Sequence, residues 1–175
     1  MPILFTKTDS ASSVKSLHAI LFGETCDLMI PASTLNRKGE ARGKTIGGNL
    51  SLLADSLGTK SEPDTNNKIL IIEEIDEYIY KIDRMLMQLK RAGKLNNLAG
   101  LLIGHMTDIK DSTLPFGETI EEIILDKVKE YHYPIAFQFP SGHQNPNLGW
   151  IHGGETEFIV TDDYVKLNFL QKQTL

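Results

Sequence analysis

Three places in the sequence put titratable side chains directly after an apolar run. Glu73 and Glu74 follow Lys68 to Ile72 (KILII), His105 and Asp108 follow Leu98 to Ile103, and His143 follows Pro134 to Phe139. A carboxylate that meets an imidazole fixes its orientation and stabilises its cation, which is the acid–base pair of many hydrolases. His143 comes after a Ser-Gly turn and before Gln144-Asn145-Pro146-Asn147, a loop too polar for a core and stiffened by proline. Each residue also has a plainer reading. His143 can be a solvated loop histidine, and Glu73 a strand-end charge or an acid near the start of the next helix, a place Glu74 and Asp76 can equally take. Gly47-Gly48-Asn49 opens a helix whose backbone N–H groups suit a carboxylate or phosphate, although tight packing or a left-handed turn explains two glycines as well.

Other chemistries find less support. His105 and Asp108 give two metal ligands, and only His143 could make a third, so a metal-dependent hydrolase is a minor alternative. His18, His132 and His152 have no companions at ligand spacing, Cys26 stands outside any nucleophile context, and Asp83-Arg84 reads as an ordinary ion-pairing segment. No Gly-x-Ser-x-Gly elbow occurs, and Ser141 is too near His143 along the chain to present its oxygen to that ring. A base pair made by Glu73 and His143 must therefore activate an atom supplied from elsewhere.

The elements that would position these residues can be read from periodicity. Asp9 or Ser10 caps a helix with apolar positions Val14, Leu17, Ile20 and Leu21, ended by Gly23. Thr25 to Arg42 is irregular, with two short strands joined near Asn36 to Gly39. Asn49 caps a short helix carrying Leu50, Leu52, Leu53 and Leu57, with Gly58 as its stop. Lys68 to Ile72 is a strand buried on both faces and terminated by Glu73-Glu74. A long helix bearing Tyr78, Ile82, Met85, Leu86 and Leu89 follows, then the strand Leu98 to Ile103. A further helix carries Ile120, Ile123, Ile124, Val128 and Tyr131, ahead of the strand Pro134 to Phe139. Glu157 to Phe169 forms two strands about a turn at Asp162-Asp163. The alternation predicts an α/β fold with a mixed sheet and flanking helices, the three strand ends sharing one rim.

Composition narrows the partners. The 175 residues, 41% hydrophobic and 23% charged, suit a single domain spanning 1–175 and exclude a disordered chain. A net charge of -5 argues against nucleic acid, which needs a basic surface. No apolar run is long enough to span a bilayer, and the N-terminus lacks the form of a signal peptide. The single Cys26 cannot make an internal disulfide. The expected setting is therefore cytoplasmic.

Four segments together, GGNLSLLADSLGT (Gly47 to Thr59), KILIIEEIDEYIYKIDRMLMQLKRAGKL (Lys68 to Leu95), LAGLLIG (Leu98 to Gly104) and Ser-Gly-His with its downstream Asn147, resemble the LD-carboxypeptidases. These are muramoyl-tetrapeptide carboxypeptidases, related to the microcin C immunity peptidases. The resemblance runs from about Gly23 to about Phe169. It implies a serine peptidase whose Ser-Glu-His triad is shared between two domains, with this chain equivalent to the swivelling β/β/α C-terminal domain. It places the triad glutamate on Glu73, with Glu74 as the neighbouring alternative, and the triad histidine on His143. It also implies that the N-terminal, Rossmann-like nucleophile domain is absent here, so the chain alone is expected to be inactive. The implied substrate of the complete enzyme is the murein tetrapeptide, losing its terminal D-alanine in peptidoglycan recycling, with no metal or organic cofactor. Gly48 and Asn49 are the candidate clamp for the substrate carboxylate, and a homodimer is expected. A domain that binds peptidoglycan fragments or a partner protein without catalysis is the alternative.

Overall fold

The apolar run at Lys68 to Ile72 is an inner strand of a seven-stranded mixed sheet in the computed structural model, which describes residues 10–24 and 27–170. Helix α1 (Ala11–Leu21) and strand β1 (Asp27–Pro31) come first. They are followed by β2 (Gly39–Asn49), α2 (Leu50–Asp55), β3 (Lys68–Ile75), α3 (Ile79–Arg91), β4 (Gly100–Thr107), α4 (Ile120–Lys127), β5 (Ile135–Ala136), β6 (Glu155–Val160) and β7 (Tyr164–Phe169). The strand order is β1-β7-β6-β2-β3-β4-β5. Strands β2, β3, β4 and β5 run parallel, as strands joined through helices must, while β6 and β7 form an antiparallel hairpin beside β2. The α/β mixed sheet with flanking helices is thus the architecture observed.

Alternation along β3 divides the core in two. Leu70 and Ile72 face α2, α3 and α4, packing with Leu50, Ile82, Leu86, Ile123 and Ile124. Ile69 and Ile71 face the opposite side, with Leu102, Phe139, Phe158, Val165 and Leu167. Ile20 of α1 and Leu148, Trp150 and Ile151 of the loop after β5 close that second cluster.

Several elements depart from the sequence expectations. Strand β2 is one 11-residue strand, and Gly47 and Gly48 belong to it, registered against Ile71 and Ile72, rather than to a helix-opening turn. A Cβ on Gly47 would sit 1.9 Å from the Ile71 carbonyl oxygen, so close approach of β2 to β3 is what requires that glycine. Strand β3 continues through Glu73 and Glu74 to Ile75, with a register shift against β4 between Ile72 and Glu74. The two acids therefore do not terminate the strand; both are buried and partnered, which removes the penalty that should have ended it there. The strand expected over Pro134 to Phe139 shrinks to Ile135–Ala136, because Gln138 takes a left-handed backbone (φ 61°) that interrupts the ladder; Phe139 and Ser141 still bond to β4. Helix α4 stops at Lys127, short of Tyr131, and Arg37 donates to the Val128 and Tyr131 carbonyls just beyond its end. Asn49 caps α2 as expected, accepting from the Leu52 amide.

Helix α1 forms where expected and differs in part of the face it buries. Ser10 occupies its N-cap without a side-chain cap bond, and Asp9 and Cys26 lie outside the described residues. Its buried positions are Ser13 and Ser16, whereas Val14 and Leu21 are exposed. Among the described residues no helix is long and apolar enough to cross a membrane.

Candidate active site

The carboxyl ends of β2, β3 and β4 bring Asn49, Glu73 and His105 onto one rim, and the loop after β5 brings His143 to the same place. Adjacent strand residues point to opposite faces, so Glu73 and Glu74 have different neighbours. Glu73 Oε2 lies 2.7 Å from His143 Nδ1, with the glutamate side chain 10% and the histidine side chain 20% exposed. A carboxylate at that nitrogen holds the proton on Nδ1, and the lone pair then resides on Nε2. Glu74 is occupied otherwise. Its carboxylate accepts from Asn49 Nδ2 at 2.6 Å, from the Ser51 amide at 2.8 Å and from the Ile75 amide at 2.9 Å.

The loop that carries His143 is tied at several points. Asn147 clamps Gly142 from both sides: its Oδ1 accepts from the Gly142 amide and its Nδ2 donates to the Gly142 carbonyl at 2.7 Å. Gly142 has φ +137°, and a Cβ there would stand 3.0 Å from the His105 Cβ and 3.1 Å from Glu73 Oε2. Only glycine lets the loop pass so near the carboxylate in that backbone conformation. Ser141 Oγ accepts from Trp150 Nε1 at 3.0 Å, so its hydroxyl is held by the indole. His105 Nδ1 accepts from the Gln144 amide at 3.3 Å. Burial, and secondarily the neighbouring His143, holds the His105 imidazole below its usual range and so favours its neutral form. Sequence reading did not assign Asn147, Trp150 or His105 these contacts; long-range partners of loop amides leave no local pattern.

Gly48 and Asn49 line an open cleft of about 500 Å³ with Leu52, Leu53 and His152. The Cβ side of Gly48 is empty space, so its backbone faces the cleft. The Asn49 amide is largely committed, its Oδ1 receiving the Leu52 amide and the Ser51 hydroxyl. The Ser51 and Leu52 amides of the α2 start are likewise taken, by Glu74 and Asn49. Among the described residues no group of three or more His, Cys, Asp or Glu side chains is placed to hold a metal ion. Asp83 pairs with Lys127 of α4 at 2.6 Å, as an inter-element ion pair.

A buried glutamate and a loop histidine thus meet at the carboxyl rim of the parallel sheet, a pairing that can serve acid–base chemistry. Residues 42–158 match the family model described as the LD-carboxypeptidase C-terminal domain, and the chain belongs to that family. It is 41% identical over 110 residues to the "Probable murein peptide carboxypeptidase" of Bacillus subtilis (strain 168), covering 63% of this chain and 34% of that protein. It is 28% identical to the "Murein tetrapeptide carboxypeptidase" of Pseudomonas aeruginosa, covering 81% of this chain and 46% of that one. Among solved structures, the muramoyltetrapeptide carboxypeptidase from Oxalobacter formigenes superposes with TM-score 0.86 at 26% identity, over 97% of this chain and 58% of the other. The MccF-like protein from Bacillus anthracis shares the fold, with TM-score 0.75 at 22% identity. The chain thus spans less than half the length of these sequence relatives.

Proposed function

We propose that this chain supplies the glutamate–histidine half of a serine-type LD-carboxypeptidase, and that the hydroxyl nucleophile comes from a separate, N-terminal-type domain. The observation that carries the reading is the 2.7 Å contact between Glu73 and Nδ1 of His143, whose side chain stays 20% exposed. In the assembled site His143 Nε2 takes the proton of the incoming hydroxyl as it attacks the peptide carbonyl. It then returns that proton to the leaving amine. Glu73 keeps the ring in the Nδ1–H tautomer and stabilises the imidazolium that forms. The backbone at Gly48, beside Asn49, offers a place for the substrate's terminal carboxylate in the open cleft.

The substrate we assign is the murein tetrapeptide, cleaved to release D-alanine; family membership and the names of its relatives support it. On the same support we assign residues 1–175 to one C-terminal-type domain that is inactive alone. Its setting is then cytoplasmic peptidoglycan recycling, and its assembly a homodimer. The mechanism asks for no metal or organic cofactor.

The test is complementation. Mixing the chain with a separately produced nucleophile-bearing domain from a relative should restore D-alanine release from tetrapeptide, and His143→Ala should lower it by at least about 10³-fold. Equal release with His143→Ala would overturn the assignment. Tetrapeptide binding by calorimetry with no release in any mixture would instead favour a non-catalytic binding domain.

A further inference from the structure

Helix α1 buries two serines on the same face as Leu17 and Ile20. Ser13 and Ser16 are 1% and 9% exposed, while Val14, Leu21 and Phe22 lie at 43%, 70% and 71%. The two serines are three residues apart and share one helix face. Their hydroxyls accept from the amides of Asn147 and Gly149, both at 2.9 Å. In an extended segment, residues two apart present their N–H groups to the same side, so the two spacings match. Ser16 spends its own proton on the Ser13 carbonyl at 2.9 Å, which leaves its oxygen free to accept. A Cβ on Gly149 would come within 2.9 Å of Ile20 Cδ1 and 3.5 Å of the Leu17 Cα, so the loop lies directly on the helix.

Asn147 relays this contact to the candidate base. Its backbone amide is held by Ser13, and its side chain clamps both backbone groups of Gly142, the residue before His143. The path from helix to imidazole is thus a serine hydroxyl, an asparagine and one peptide unit. Helix α1 lies outside the residues 42–158 matched by the family model, so nothing in that match accounts for it.

The geometry points to Ser13 and Ser16 as positioning residues for His143: α1 is a brace that holds the 142–149 loop so that the imidazole stays on Glu73. The inference rests on the Glu73–His143 reading above. Without the serine oxygens, two partly buried amides lose their acceptors and the loop gains freedom to lift from the rim.

The experiment uses the chain itself. Ser13→Ala and Ser16→Ala, made singly and together, are compared with the wild type by amide hydrogen exchange and by the His143 Nδ1–H proton resonance. The prediction is faster exchange of the Asn147 and Gly149 amides, by about tenfold, with broadening or loss of the Nδ1–H signal. Ser13→Thr and Ser16→Thr, which keep a hydroxyl acceptor, should preserve both. Val128→Ala, a core truncation beyond the loop, should lower the melting temperature and leave the Nδ1–H signal in place. Unchanged exchange and an unchanged signal in the serine variants would overturn the brace, as would equal loss of signal in Val128→Ala. An Nδ1–H signal missing from the wild type would instead overturn the Glu73–His143 reading, and amide exchange would still judge whether α1 holds the loop.

Discussion

Two adjacent glutamates divide structural and chemical work because a strand sends neighbours to opposite faces. Glu74 is a buried anion whose charge is met by three N–H donors, and those donors include the start of α2. Removing it strands the Asn49 amide and the Ser51 and Ile75 N–H groups, so Glu74→Ala should cost about 3 kcal/mol of stability. Glu73 has a partly solvated imidazole as its partner, and Glu73→Ala should cost about 1 kcal/mol. Denaturant unfolding of the two variants checks the ordering; a larger loss at Glu73 would contradict this division. From sequence the apolar run alone did not separate the two acids, and only the family resemblance favoured Glu73, with Glu74 as the neighbouring alternative. What separates them is register: the shift between Ile72 and Glu74 and the pairing of Glu73 with Asn49 of β2 are three-dimensional facts.

At the scale of elements, apolar periodicity was a good guide where burial is simple. The KILII strand, the Ile82-Leu86-Leu89 face of α3 and the hairpin about Asp162-Asp163 all stand where their patterns put them. It misled where polar groups are buried with partners. Serines buried in α1 and acids continuing β3 obey hydrogen-bond satisfaction, which leaves no periodic trace in the sequence. The same logic joins α3 to α4. Lys127 is 9% exposed and reaches Asp83 at 2.6 Å, with Asp126 at 3.4 Å as a second carboxylate. Asp83→Ala should therefore destabilise the chain by about 2–3 kcal/mol, whereas Lys127→Met, which removes the charge but keeps the stem, should cost less. Thermal melts of the two variants decide it; equal losses would mean that the lost pairing itself, rather than a stranded buried charge on Lys127, sets the cost.

Across the whole molecule, the parallel strands gather the site and the loop closes it. Three strand ends and one loop, distant in sequence, converge because β2, β3, β4 and β5 run the same way. That convergence was legible from the alternation of strands and helices, whereas the clamp of Asn147 on Gly142 and the brace of α1 were not. The outcome is an imidazole oriented by an acid at Nδ1, in a side chain that stays 20% exposed. Selective ¹⁵N labelling of histidine reads this state directly. At a pH where His143 is neutral, Nδ1 should carry the proton and Nε2 should show the shift of a bare imine nitrogen, with Glu73→Gln abolishing that preference. A proton on Nε2, or a tautomer indifferent to Glu73→Gln, would contradict the account.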